Sequence, residues 1–456
     1  MFKNSFSSGY VNEPELITAL DLGTSKVSVI VAEKESESGE PYIITVEEYP
    51  SSGIRKGSIV NADMASKAVK QALNSAETAV GQSLKTVSVS LSCSEGVQCV
   101  TTQGRFMLGI NARPVSEDDI ERVLQNAKSD LAIPSNKTIV HTIPVKFDLD
   151  GKEIENPLDM TGKTLQVELL TLMVPSPVIQ DTVNCIKKAG VEIDCIVLKS
   201  LAASLSVITE EEARNGAAVL DIGGGTTDIT VYSGGYPVYM AAIPIGGDHI
   251  SNDLASVLKI PFACAEEIKR KVFIGNEVQN EGNENEYVEF SFNNRQGRVL
   301  NSEAAEIISC RIEELCQELV MPKINESGVK SLGGGIILTG GTAEMRGVDS
   351  LMRDIFGLSV RTAVPSAASQ MPRGKNGGEF SGAAGIIKYV SEKQHAPYRF
   401  LDDHSDIDAA KRNGRTLQTS AIKNILLEKN ETIKKELKTE TKNIGGKIKD
   451  LFSDLF

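Results

Sequence analysis

At 456 residues the chain exceeds what one compact core usually holds, so two lobes with further subdivision are expected. Its 41% hydrophobic and 24% charged residues are those of a soluble globular protein, which excludes the disordered, collagen-like and membrane-spanning classes. The formal charge of −13 argues against a general nucleic-acid binder, because phosphate backbones require a basic surface.

Residues 1–14 are polar, lack the apolar core of a signal peptide and read as a disordered N-terminus. Residues 16–21 then predict a strand, 22–25 a tight turn, 26–32 a second strand and 42–49 a third. The spacing of apolar positions over 62–80 predicts a helix. Short strand-like pieces at 87–91, 97–102 and 138–147 surround a helix over 116–129, whose start is marked by Ser116, Glu117 and Asp118. This texture predicts a small α+β module, 86–166, inserted into a first lobe made of 15–85 and 167–202. A helix over 178–189 ends at Gly190, and a strand follows at 192–198.

The second lobe is expected over 203–248 and 303–390, with a smaller subdomain at 249–302 where 276–294 reads as a loop or hairpin. Its opening strand, 217–221, runs into three glycines and a further strand at 228–232. Residues 391–441 are polar and weakly periodic, so they read as a flexible linker. No run of about 18 apolar residues occurs, so nothing is expected to span a bilayer, and a cytosolic protein is predicted. The seven cysteines are odd in number with no Cys-x-x-Cys, and the four histidines are scattered. Reduced thiols are therefore expected rather than a disulfide framework or a zinc site.

The internal repeat is the most informative feature. Asp21-Leu22-Gly23-Thr24-Ser25-Lys26 and Asp221-Ile222-Gly223-Gly224-Gly225-Thr226-Thr227-Asp228 each place an Asp at the end of an apolar strand, before glycines and hydroxyl residues. Glycines allow a sharp turn and close backbone approach. Converging N–H groups in such a turn form a nest for phosphate oxygens. Asp21 and Asp221, facing each other across a cleft, are predicted to hold Mg²⁺ through water. Either turn alone reads better as a plain hairpin; two in this order favour a nucleotide. Residues 333–343 add a buried strand ending in Gly340, Gly341 and Thr342, where an adenine could lie against bare backbone. Glu266 and Lys269 share one helix face and could reach the ribose and base edge, the competing reading being a surface ion pair.

The order of these three elements resembles the actin, heat-shock chaperone and sugar-kinase superfamily. Within it the stretch from about 15 to 390 is similar to the FtsA cell-division family. That likeness rests on Gly53-Ile54-Arg55-Lys56-Gly57, on the run from Ile243 through Gly246 and Gly247 to Asp253, and on Ile337-Leu338-Thr339-Gly340-Gly341-Thr342-Ala343. It implies an α/β, two-lobed actin-like (ribonuclease-H-like) fold with an inserted α+β module, and ATP as cofactor with Mg²⁺. Gly246 and Gly247 join the nucleotide-binding set. It further implies self-polymerisation, binding of the FtsZ C-terminal tail near 250–300, other divisome partners, and a place on the cytoplasmic side of the inner membrane at the septum. One departure stands out: Leu198-Lys199-Ser200-Leu201-Ala202 offers no clear general base where relatives often carry a polar catalytic residue. Weak or no ATP hydrolysis is therefore expected.

At the C-terminus, Ile444, Ile448, Leu451, Phe452, Leu455 and Phe456 form one helical stripe within 442–456. Eight lysines against four glutamates and one aspartate between 423 and 450 reverse the overall charge locally. An amphipathic helix on anionic lipid is predicted, against the competing reading of a helix docked on a partner or on its own body. Rival readings for the whole chain are a PilM-like pilus-assembly adaptor and a sugar or acid kinase. The kinase would need an acidic base in a substrate pocket and has no use for the terminal helix.

Overall fold

The computed structural model describes residues 16–34, 41–94, 96–276, 285–292, 295–395 and 399–401. All belong to one compact unit, Met1–Asp403. The terminal segment 442–456, with Ile444, Ile448, Leu451, Phe452, Leu455 and Phe456, lies outside the described residues, as does nearly all of the linker.

The chain begins with β1 (Leu16–Leu22), β2 (Lys26–Glu33) and β3 (Tyr42–Pro50), an antiparallel meander in which Asp21 faces Ser28. Helix α1 (Ala62–Val80) starts where the Asn61 side chain accepts from the Asp63 and Met64 amides, and stops at left-handed Gly81. Its buried face of Ala65, Ala68, Val69, Ala72, Leu73 and Ala76 is mostly small, so the helix lies close against β2 and β3. Strand β4 (Thr86–Leu91) then pairs parallel to β1.

The inserted module comprises β5 (Gln98–Met107), α2 (Glu117–Ser129), β6 (Lys137–Leu149), β7 (Lys152–Ile154) and β8 (Thr164–Pro175), in sheet order β7-β6-β8-β5. A reciprocal Ser116–Asp119 cap opens α2. The Arg113 guanidinium and burial act oppositely on Asp119, and the arginine wins, holding its carboxyl well below the usual carboxylate range. Helix α3 (Ser176–Ala189) returns the chain to β9 (Glu192–Leu198), completing a first sheet of order β9-β4-β1-β2-β3. Helix α4 (Lys199–Val207) follows directly.

The second lobe repeats this plan. Its meander is β10 (Ala217–Ile222), β11 (Thr227–Ser233) and β12 (Tyr236–Ile243). After α5 (Gly247–Leu258), α6 (Phe262–Lys271), the hairpin β13 (Tyr287–Phe292) and β14 (Arg295–Leu300), and α7 (Asn301–Glu314), two strands add in parallel. These are β15 (Gly335–Thr339) and β16 (Val360–Thr362), giving the order β12-β11-β10-β15-β16. Position for position this is the first sheet again. The central strands β1 and β10 are buried on both faces, which is why they read as near-continuous apolar runs. Ala218, Leu220, Ile229, Ile268, Ile308 and Leu338 lie in the second lobe's core.

Four boundaries differ from the sequence reading. Residues 86–91 belong to the first sheet rather than to the inserted module, and 164–175 form the module's central strand rather than the resumed lobe. All these strands are equally apolar, and only long-range pairing tells them apart. Helix α8 (Ser381–His395), assigned to the second lobe up to 390 and to the linker beyond, packs on α4, β1, β2 and β4. Gly385 permits that contact, since a Cβ there would stand 1.6 Å from the Ala202 carbonyl oxygen. Finally, the linker begins later than 391. Phe400 is buried against Tyr389, and the Leu401 amide donates to the Thr142 carbonyl at 3.0 Å. Among the described residues no helix is long and apolar enough to cross a membrane.

Candidate functional site

The two glycine turns connect equivalent strands of the two sheets, β1 to β2 and β10 to β11, and they meet. A Cβ at Gly224 would stand 2.1 Å from Ser25 Oγ, and one at Gly225 2.5 Å from Thr24 Oγ1. The glycines of the second turn therefore make room for the hydroxyls of the first. Thr24 Oγ1 also accepts from the Gly57 amide at 3.2 Å, so the Gly53–Gly57 segment backs the first turn.

Helix α5 begins on the second turn. The Gly247 and Asp248 amides donate to the Gly223 and Gly224 carbonyls, both at 2.8 Å. Gly246 allows this approach: a Cβ there would stand 2.4 Å from the Gly223 carbonyl oxygen. Beyond it, Lys269 is buried, donates to the Gly247 carbonyl at 3.0 Å and pairs with Glu266, which also accepts from Ser251. A Cβ at Gly247 would meet Thr342 Oγ1 at 2.7 Å, and one at Gly340, where φ is +86°, would meet Asp221 Oδ1 at 2.4 Å. Thus Asp221, Gly223, Gly224, Gly246, Gly247, Glu266, Lys269, Gly340 and Thr342 converge on one wall, while Gly341 starts the short helix that carries Thr342. Glu266 and Lys269 do form an ion pair, but Lys269 is buried at this wall rather than on an open surface.

Not every predicted residue points into the cleft. Lys26 pairs with Glu48 at 2.7 Å, approaches Glu379 at 3.7 Å and lies 3.6 Å over the Phe380 ring. Its ammonium links the edge of the first sheet to the segment before α8. Thr226 donates to Asp228 of its own turn at 3.1 Å and Thr227 to the Ile245 carbonyl at 2.8 Å, so both hydroxyl protons are engaged within the second lobe.

The residue that sequence reasoning misses is Lys199. Leu198, at the end of β9, donates its amide to His141 Nε2 at 2.9 Å, and Lys199 opens α4 beneath both turns. Its ammonium stands 3.4 Å from Asp21 Oδ2 and 4.0 Å from Asp221 Oδ2. Burial alone would push this lysine down, but Asp21, Asp221 and Asp228 outweigh it and hold the ammonium above the usual lysine range. Asp221 is pushed up by burial and by Asp21, against the pull of Lys199. Burial, again opposed by Lys199, pushes Asp228 up to about 7. The other oxygen of Asp21 accepts from Ser90 Oγ at 2.5 Å, and Gly382 of α8 leaves space for the carboxyl.

This arrangement bears on the expected metal role of Asp21 and Asp221. The two aspartates do converge on a cation, but the position between them is taken by the Lys199 ammonium, and both Asp21 oxygens already have partners. Hydrated Mg²⁺ keeps several waters and needs an open carboxylate face. The residues present do not fit it with Lys199 in place. Among the described residues no group of three His, Cys, Asp or Glu side chains is arranged to hold a metal.

Comparison with known proteins agrees with the fold. A family model described as cell division protein FtsA matches residues 218–385, and one described as the SHS2 domain inserted in FTSA matches 96–173. Cell division protein FtsA of Borreliella burgdorferi is 32% identical over 83% of this chain and 92% of its own length. That of Bacillus subtilis is 34% identical over 78% and 80% respectively. A solved PilM–PilN type IV pilus biogenesis complex is similar in fold, with a TM-score of 0.53 at 17% identity over 82% of this chain and 98% of that one. At this identity over most of its length, the chain belongs to the FtsA family of actin-like cell-division proteins.

Proposed function

We propose that the chain binds ATP between its two lobes and, as a component of the cell-division apparatus, polymerises at the membrane and anchors FtsZ filaments there. The observation that carries the nucleotide part is the contact of the two turns. Glycines at 224 and 225 lie against the hydroxyls of Ser25 and Thr24, so one ligand lying along the joined turns would touch both lobes at once. Gly340, Gly341 and Thr342 supply the flat wall for a base, and Lys269 with Glu266 supplies a donor and an acceptor at its edge. ATP bound across both lobes favours the closed form by its differential contacts with the two states. Hydrolysis is weak in this reading, because the first position of the connecting helix carries an ammonium, which cannot accept a proton from an attacking water.

The membrane part rests on the terminal stripe Ile444, Ile448, Leu451, Phe452, Leu455 and Phe456 and its lysine-rich flank. One such helix binds weakly, and a polymer carrying many copies binds by avidity. Nucleotide then acts through assembly, since it favours polymers, polymers hold the membrane, and the array holds FtsZ on the cytoplasmic face at the septum. Flotation tests the whole chain of steps. FtsZ, anionic liposomes and ATP are mixed with the full chain or with one ending at Lys442. FtsZ is expected to rise with the full chain alone. The full chain rising without FtsZ would contradict the anchoring role, and neither rising would contradict the membrane role.

A further inference from the structure

The charge at the cleft floor is partly offset from within. A lysine in the first turn of a buried helix is disfavoured twice, by desolvation and by the positive end of the helix dipole. Lys199 is nevertheless there, 8% exposed, at the first position of α4. What holds it is geometric: Asp21 from the first lobe and Asp221 from the second approach its Nζ from either side, at 3.4 and 4.0 Å. The strand before it is fixed by the Leu198–His141 hydrogen bond. Asp21 is boxed in by Ser90 Oγ and by the backbone of α8 at Gly382, where a Cβ would lie 3.1 Å from the carboxyl. Asp221 is boxed in by Gly340. Neither carboxylate can retreat far from the ammonium, and both lobes contribute to its cage.

We infer that Lys199 is a resident counter-cation that takes the place of a divalent metal between Asp21 and Asp221, so that nucleotide binding by this chain does not depend on Mg²⁺. The inference deepens the nucleotide reading and rests on it. An entering triphosphate meets a cleft in which one ammonium already offsets part of the charge of the two aspartates. The same ammonium ties the two lobes together through one residue of the connecting helix, so it also favours the closed cleft.

The test is a titration of the full chain with a fluorescent ATP analogue, in excess Mg²⁺ and again in EDTA. Wild type is expected to keep its affinity within about threefold on chelation. Lys199→Met, which keeps the length but not the charge, is expected to lose about thirtyfold in EDTA and to recover most of it when Mg²⁺ is restored. Lys199→Arg keeps the charge and should follow wild type, and thermal melts of each variant check that it is folded. Wild type losing affinity in EDTA as steeply as Lys199→Met would overturn the proposal, as would Lys199→Met remaining indifferent to Mg²⁺. If Lys199→Met does not fold, the wild-type comparison decides alone. Wild type failing to bind the analogue under either condition would instead overturn the nucleotide reading itself.

Discussion

The two turns of this molecule occupy equivalent places in two copies of one sheet, yet they are built differently. The first carries one glycine and two hydroxyl residues, the second three glycines. Gly23 is tight within its own turn, since a Cβ there would stand 2.5 Å from the Lys26 carbonyl oxygen, whereas a Cβ at Gly223 would have 3.6 Å to the Thr226 carbonyl. At the next two positions the pattern reverses: Gly224 and Gly225 are glycine because Ser25 and Thr24 of the other lobe press on them. The last positions differ as well. Lys26 reaches out to Glu48 and Glu379, while Thr226 turns back to Asp228 of its own turn. Opposite the aspartates, Ser28 in the first lobe is matched by Asp228 in the second. Duplication supplied the frame, and the contact between the copies dictated what each turn could keep.

Substitutions that add one carbon at a time should break this comparison in graded fashion. Gly246→Ala should act most strongly, because its Cβ meets two backbone carbonyls, of Gly223 and Gly224, which cannot rotate away. Overpacking of that kind costs on the order of 3 kcal/mol, so denaturant melts should show the largest loss of stability of the series. Gly23→Ala should follow, lowering stability by about 1–3 kcal/mol in denaturant melts, while the equivalent Gly223→Ala changes it by less than about 0.5 kcal/mol. Equal effects at 23 and 223 would contradict the difference drawn between the turns.

The smallest effect concerns Lys26 and its acidic neighbours. Hydrogen bonding to Glu379, then burial and the Glu379 charge, push Glu344 up to about 7, with Lys26 opposing. A carboxyl raised in the folded state binds its proton more tightly there than in the unfolded chain. Its contribution is therefore full below the ordinary glutamate range and lost as pH rises through about 7. Melting temperature should accordingly fall between about pH 5 and pH 8, and Glu344→Gln should flatten that part of the profile.

Much of this is legible in the sequence. The strand–turn–strand pairs follow from apolar runs ending in Asp and glycine, and α2 and α3 from Ser116 and Gly190. The hidden parts are those decided by distant pairing. Residues 86–91 and 164–175 have the same apolar texture as their neighbours, and only the sheet each joins separates lobe from insert. Phe400 looks like one aromatic in a polar stretch until Tyr389 is placed beside it. Lys199 escapes notice because a lysine after an apolar strand reads as the exposed start of a helix. A usable signal is present: Lys199 follows an apolar strand end and opens a connecting helix whose following residues are all small or apolar. Such a helix is buried, and a buried lysine needs carboxylates.

The two turns form one clamp, with glycines and hydroxyls matched where the lobes meet. Its most direct test is an ATP titration of wild type, Gly225→Thr and the exchange pair Thr24→Gly with Gly225→Thr. Wild type is expected to bind, the single variant to lose at least about tenfold because its side chain meets Thr24, and the exchange pair to recover most of that loss. A single variant that binds as wild type does, or a pair that is no better than the single variant, would contradict the account.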